Sequence, residues 1–379
     1  MAETEDVQKG LEGVVVAESS LSYIDGDEGK LVYRGYSIED LAREASFEEV
    51  IYLLWHGELP TPAILEAFAD SMAAKRELDD DTAAVIERLA AADEEPMAAM
   101  RTVTSLLSAS DPDADADPQR YPANVRKGQR IVAKLPTALA AFLRLREGDD
   151  PVAPREDLSH AANFLYMLND EAPSEVLAET FDQALVLHAD HGLNASTFAA
   201  MVTASTLADL HSAVTSAVGT LSGSLHGGAN QNVMRMLQEV DASGMDPTEW
   251  VRTALAEGRR IPGFGHRVYN VKDPRAKILG ERSKALGREG AMKWYEYSTA
   301  IEAFVGQEKG LAPNVDFYSA STYYQMGIPV DAYTPIFAIS RAAGWIAHVF
   351  EQYGDNRLIR PRSRYVGDRE LEFPPLDER

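Results

Sequence analysis

Histidines in three settings, one aspartate and a group of arginines stand where they could do chemistry. His226 lies in Gly223-Ser224-Leu225-His226-Gly227-Gly228, a glycine-rich turn just ahead of a helix expected to start near Asn230. The positive end of that helix disfavours an imidazolium, so His226 is expected to be neutral. A neutral imidazole polarises a carbonyl by donating a hydrogen bond to it. His266 lies in Ile261-Pro262-Gly263-Phe264-Gly265-His266-Arg267, where two glycines let backbone amides approach a ligand closely. Arg259, Arg260, Arg267 and Arg275 surround it in sequence. Asp316, in Pro313-Asn314-Val315-Asp316-Phe317-Tyr318, has neighbours able to desolvate its carboxyl and raise its pKa toward that of a useful base. The same position also suits a first-turn acid favoured by the helix dipole. His188 and His191 are three apart and share a face if one helix runs through both. That spacing suits a zinc pair, but no third ligand is suggested nearby. Any one of these histidines taken alone also reads as a core or capping residue.

The charge balance narrows the ligands. Sixty acidic residues oppose 36 basic ones, a net charge of −24, and the bases are 26 Arg and only 10 Lys. Such a chain is a poor polyanion binder overall. Its scarce lysines and abundant acids resemble proteins of salt-rich surroundings, where dense salt screens self-repulsion. Two basic islands break the pattern. Residues 252–288 hold ten bases against three acids, and 357–364 hold four arginines and no acid. Phosphate or carboxylate ligands are the physical expectation, although Lys277, Arg282, Lys284 and Arg288 also fit a solvated helix face. With no cysteine, disulfides, thiolate metal sites and cysteine nucleophiles are excluded. No apolar run reaches the ~18 residues of a membrane span. The acidic MAETEDVQKG reads as neither signal nor transit peptide, so a cytoplasmic enzyme is expected.

The elements that must position these residues read as helices almost throughout. Residues 20–24 and 30–34 flank Asp25-Gly26-Asp27-Glu28-Gly29 and predict a β-hairpin. Ser46 and Glu49 form a capping box, and Thr61-Pro62 opens a further helix. Residues 123–147 predict a long helix with a kink or break at Pro136. Asn194 to about Leu221 is rich in Ala, Ser, Thr and Val, and Asp209 is its only acid. It reads as helix lying in a core or subunit interface. Helices are expected at 230–240, 247–258, 274–287 and 291–309, near Asn314, and from about Thr334 to Tyr353. Asp111 to Pro118 reads as an exposed acidic loop, and the tail from Gly354 as an extended arm.

In chain order, LHADHGLNAST (187–197), LHGGAN (225–230), PGFGHRVY (262–269), DPR (273–275), PNVDFYS (313–319), SRAAG (340–344) and RPRS (360–363) resemble citrate synthases of the shorter archaeal and bacterial type. The likeness covers nearly the whole chain, including GKLVYRGY (29–36). It implies an all-α, two-domain helical fold with a small N-terminal β-hairpin. The large domain would comprise 1–225 and 325–379, and the small domain 226–324. It implies condensation of acetyl-CoA with oxaloacetate to citrate, without metal or redox cofactor, in a homodimer whose sites are shared between subunits. Carried over motif by motif, His226 bonds the thioester carbonyl, Asp316 removes a methyl proton and His266 donates to the oxaloacetate carbonyl. His191, Arg275 and Arg341 hold oxaloacetate, with Arg360 reaching in from the other subunit. The loop Arg260, Ile261, Pro262, Gly263, Phe264 and Gly265 would contact CoA, with Arg259, Arg260 and Arg267 as candidates for its phosphates.

The nearest rival is a 2-methylcitrate synthase acting on propionyl-CoA, since one methyl in an apolar pocket is worth only about 1–3 kcal/mol. A nucleic-acid-binding module using 252–288 is disfavoured by net charge and by the lack of aromatics interleaved with the bases. A purely structural helical dimerisation protein is the third reading. No partner nucleic acid or membrane is expected.

Overall fold

The computed structural model describes residues 7–379. Three short antiparallel strands stand near its start: β1 (Ser22–Asp25), β2 (Lys30–Tyr33) and β3 (Tyr36–Ser37), in the order β1-β2-β3. Ser22 faces Tyr33 and Asp25 faces Lys30 across the first pair. In the turn Asp25 Oδ1 accepts from the amides of Asp27 and Glu28 at 3.0 and 2.9 Å. The expected hairpin is present. The third strand was not foreseen, because two residues carry no readable alternation.

Sixteen α-helices and three short 3-10 turns make up the rest of the regular structure among the described residues. The first eight are α1 (Ile38–Glu44), α2 (Phe47–His56), α3 (Pro62–Ala73), α4 (Asp80–Ala91), α5 (Pro96–Leu106), α6 (Tyr121–Glu147), α7 (His160–Asn169) and α8 (Glu175–His188). They are followed by α9 (Ala195–Ser205), α10 (Leu210–Leu221), α11 (Ala229–Ser243), α12 (Pro247–Ala256), α13 (Pro274–Glu289), α14 (Lys293–Lys309), α15 (Val315–Gln325) and α16 (Tyr333–Gly354). Local chemistry sets most starts. Ser46 and Glu49 close the capping box of α2 in both directions, and Pro62 occupies the first turn of α3.

Three expectations are corrected. Residues 121–147 form one helix that continues through Pro136 without a break. The run 194–221 is two helices, because Asp209 caps α10 by accepting from Ser212 N–H at 3.1 Å, while Leu207 turns the chain at φ +62°. The loop from Asp111 is not a free acidic surface. Asp111 is buried, with Arg130 Nη2 2.6 Å and His211 Nε2 3.3 Å from its carboxylate oxygens.

The core centres on α16, which is buried at every residue from Tyr333 to Phe350 and packs against α2, α6, α8, α9 and α10. A helix apolar all round belongs in such a place. Gly344 is what lets the end of α8 come close: a Cβ there would lie 2.3 Å from the Ala189 carbonyl. That carbonyl instead accepts the Gly344 amide at 3.1 Å. The approach seats His188 to His191 beside the turn of α16 that carries Arg341. On the other side of the cleft α13 packs along α15, and α14 joins both.

Candidate active site

His226 sits in the turn between α10 and α11. Gly227 must be glycine, since a Cβ would fall 2.4 Å from the Leu221 carbonyl. Thr334 Oγ1 donates to the Gly227 carbonyl at 3.0 Å and pins the turn to the start of α16. The His226 Nε2 receives the backbone N–H of Ser196 at 3.2 Å. An amide can only donate, so this ring nitrogen is unprotonated and the proton is on Nδ1. Burial, reinforced by Arg341, pushes the imidazole pKa down to about 4. The neutral state expected from the sequence has a different origin: burial and a guanidinium, with the first turn of α9, not of α11, facing the ring.

His266 obeys the same logic with the opposite nitrogen. Its Nδ1 receives the amides of Val268 and Tyr269 at 3.0 and 3.1 Å, leaving the proton on Nε2. Burial, then Arg275, lowers its pKa. His191 lies beside it, ring centroids 5.3 Å apart, with Nε2 3.3 Å from the Tyr269 hydroxyl. Burial and the charges of Arg275 and Arg341 hold His191 well below the ordinary histidine range. Helix α8 ends at His188, so the two histidines of 187–191 do not share a helix face. His188 Nδ1 lies 2.7 Å from the Ala184 carbonyl inside its own helix. That oxygen can only accept, so Nδ1 carries the proton.

Arg275 and Arg341 are buried guanidiniums, 2% and 1% exposed. Asp273 grips Arg275 in a two-pronged pair, Nε to Oδ1 at 3.0 Å and Nη2 to Oδ2 at 2.7 Å. Burial opposes the charge on Arg275, and the carboxylate overcomes it, so its pKa stays above the ordinary value. Arg341 donates from Nε to the His188 carbonyl at 2.6 Å, while its buried Nη2 has no hydrogen-bond partner among the described residues. Burial lowers its pKa to about 10, which still leaves it charged near neutrality. A buried cation with an empty donor asks for an anionic ligand.

Asp316 is the second residue of α15 and keeps part of its surface open to the cleft. Desolvation pushes its pKa up to about 6, against the opposing charges of Arg275 and Arg341. The charges of the two guanidiniums thus bear jointly on His191 and Asp316, that of Arg275 on His266 and that of Arg341 on His226.

The loop 261–265 is laced to the segment before α15. Gly263 O accepts from Asn314 N–H at 2.9 Å, and Gly265 N–H donates to Ala312 O at 3.0 Å. Gly263 has φ +83°, and a Cβ would meet Val233 and Phe317 at 2.7 and 2.8 Å, so no other residue fits. Phe264 stacks obliquely on Phe317 at 4.6 Å. Ile261, Pro262 and Gly265 are partly exposed along this edge.

The basic island is sorted by its contacts. Lys272 pairs with Glu302, Lys277 with Glu39 and Arg282 with Glu179. Arg252 lies over Phe304 and Lys284 over Tyr295. Arg259 is engaged too, 2.6 Å from Glu239 and 4.8 Å over Trp250. Arg260 and Arg267 are exposed and have no hydrogen-bond or ion-pair partner among the described residues. Arg360 lies in the exposed arm after α16, likewise without such a partner, and the chain's own fold does not bring it into the cluster. Sequence reading missed Asp273, Ser196 and Tyr269. The Asp-Pro-Arg run was visible, but only burial shows that its aspartate is the counterion of Arg275. No helix among the described residues is long and apolar enough to cross a membrane.

The family model described as "Citrate synthase, C-terminal domain" matches residues 10–362. The citrate synthase of Haloferax volcanii is 69% identical over 376 residues, covering 99% of both chains. A 2-methylcitrate synthase of Mycobacterium tuberculosis is 41% identical over 374 residues, 98% of this chain and 93% of its own. The citrate synthase of Thermoplasma acidophilum, solved as a ternary complex with carboxymethyl coenzyme A and oxaloacetate, superposes with a TM-score of 0.91 at 32% identity, covering 99% of this chain and 100% of that one. A helical cleft with these motifs, matched along its length, has one reading: the chain belongs to the citrate synthase family.

Proposed function

We propose that the chain condenses acetyl-CoA with oxaloacetate and water to give citrate and CoA, as an acyltransferase of the citrate synthase type. The observation that carries this reading is a pair of neutral imidazoles with assigned tautomers, together with a desolvated carboxyl whose pKa is raised to about 6, all within the field of the same two buried guanidiniums. Enolising a thioester needs a desolvated base and a donor aimed at the developing oxyanion. The Asp316 carboxylate takes a proton from the acetyl methyl while His226 Nδ1–H donates to the thioester oxygen. The enol carbon then attacks the keto carbon of oxaloacetate, and His266 Nε2–H supplies the proton to the alkoxide. Water cleaves the citryl thioester and releases CoA.

Arg275 and Arg341 suit the carboxylates of oxaloacetate, with His191 beside them. The unfilled Nη2 of Arg341 supports that assignment. Arg360, exposed and unpaired on its own chain, suits a carboxylate in a partner subunit's cleft, making the enzyme a homodimer with shared sites. Loop 260–265 and the free Arg260 and Arg267 suit CoA and its phosphates. Arg259 is the weaker phosphate ligand, because it must first leave Glu239. Residues 1–225 with 325–379 would act as a large domain and 226–324 as a small one, closing over the substrates to exclude water.

The test follows CoA release from acetyl-CoA and propionyl-CoA in parallel, with oxaloacetate as acceptor. A kcat/KM favouring acetyl-CoA supports the reading. Preference for propionyl-CoA would reassign the chain to the 2-methylcitrate reaction, and no turnover of either would overturn it.

A further inference from the structure

Helix α15, which carries Asp316, is tied at its first turn to the start of α13 and, through Asn314, to the loop that leads into His266. Val315 N–H donates to Asp273 Oδ2 at 3.2 Å, the carboxylate that also grips Arg275. Asp316 N–H donates to Asn314 Oδ1 at 3.1 Å. Two otherwise orphaned helix amides are thus capped by residues with different outside connections.

Asn314 does more than cap. Its backbone N–H donates to Gly263 O at 2.9 Å, and its side-chain Nδ2 donates to Gly265 O at 2.9 Å. Gly265 directly precedes His266. Asparagine, aspartate and serine cap helices about equally well, so the cap alone does not require asparagine. Asparagine combines an acceptor for the helix amide with an N–H donor that reaches a facing carbonyl, whereas aspartate offers only acceptors and serine a single short hydroxyl. The second bond, not the cap, accounts for the residue type.

We propose that Asn314 is a positioning residue for the condensation. Its amide holds the Asp316 carboxylate in register with the loop that ends in His266, so that the base and the second proton donor keep a set separation across the two reacting carbons. The inference rests on the reading of Asp316 as base and His266 as donor.

The test uses Asn314→Ser and Asn314→Asp in the full chain. Both keep a helix cap and both remove the donor to Gly265 O. Asn314→Ser is expected to lose on the order of 10²-fold in kcat, the scale of a displacement of about 1 Å in a reacting group. Its KM for oxaloacetate should change by less than about threefold, since ground-state binding is untouched. Asn314→Asp should lose activity similarly and shift the acid limb of its kcat/KM profile to higher pH, because a second carboxylate disfavours ionisation of Asp316. A residue that only capped would leave kcat unchanged in Asn314→Ser, and in Asn314→Asp the added charge would move the acid limb without lowering kcat at the pH optimum. Melting curves of the two proteins identify any variant that has simply lost its fold, in which case the other carries the test. Near wild-type kcat in both, with Asp316→Asn inactive, overturns the proposal. An active Asp316→Asn would instead overturn the assignment of the base, and the proposal with it.

Discussion

Replacing Asp273 by asparagine removes one charge of a fully buried pair and leaves its shape. Asp273 is 0% exposed and Arg275 2%, and both prongs of their contact are at hydrogen-bond distance. Breaking a buried pair from one side leaves an uncompensated charge and costs about 3–5 kcal/mol. Unfolding entropy of about 2.1 cal/mol/K per residue, over 379 residues, gives about 0.8 kcal/mol/K if the chain melts in one transition. The expected fall in Tm is therefore about 4–6 °C. KM for oxaloacetate should rise as well, because Arg275 loses the partner that aims it. A second variant separates charge from packing. In Asp273→Asn with Arg275→Met the buried charge is gone, and Tm should recover toward wild type while oxaloacetate turnover stays low. Calorimetric melting and steady-state kinetics on the three proteins give the comparison. A Tm for Asp273→Asn within about 1 °C of wild type, well below the shift expected from the pair's burial, would refute the argument.

Four further outcomes follow from the geometry. Asp316→Asn should lose most turnover, and the wild-type kcat/KM should fall as pH drops through about 6, the value to which burial raises the carboxyl. Because that pKa is above the ordinary 3.8, the folded state holds the extra proton between those values and Asp316 costs stability as pH rises through the window. Asp316→Asn should therefore melt above wild type at pH 8 but not at pH 4, as thermal scans at both pH values can check. His226→Ala should lower kcat on the order of 10²–10³-fold, the cost of one lost oxyanion donor, and should slow exchange of acetyl-CoA methyl protons into D2O by a similar factor. With a net charge of −24, Tm should climb as KCl rises from about 0.1 M, where the Debye length is ~10 Å, to about 1 M, where it is ~3 Å; a flat profile would remove the electrostatic account. Mixed dimers reassembled from inactive Arg360→Ala and Asp316→Asn chains should regain up to about half of wild-type activity per dimer if Arg360 serves the opposite subunit, and none if it serves its own.

Much of this molecule is legible one stretch at a time. The capping box at Ser46 and Glu49, the proline start of α3, the hairpin turn at Asp25 to Gly29 and the limits of α11 to α16 depend on contacts within a few residues. Periodicity and cap chemistry report such contacts directly. The motifs around His226, His266 and Asp316 were likewise legible, as ordered stretches of sequence that carry the likeness to the family. Tertiary structure decided what these groups are chemically. The tautomer of His226 is set by an amide 30 residues earlier in the chain, and its depressed pKa by burial and a guanidinium 115 residues later. The basic island 252–288 looked uniform, yet packing spends most of it on Glu302, Glu39, Glu179, Glu239 and aromatic faces, leaving Arg260 and Arg267 among the free cations. Asp209 looked like an incidental acid in a long apolar run and is the cap that divides it. Desolvation and ion pairing sum over every neighbour in space, and no local period in the chain encodes that sum.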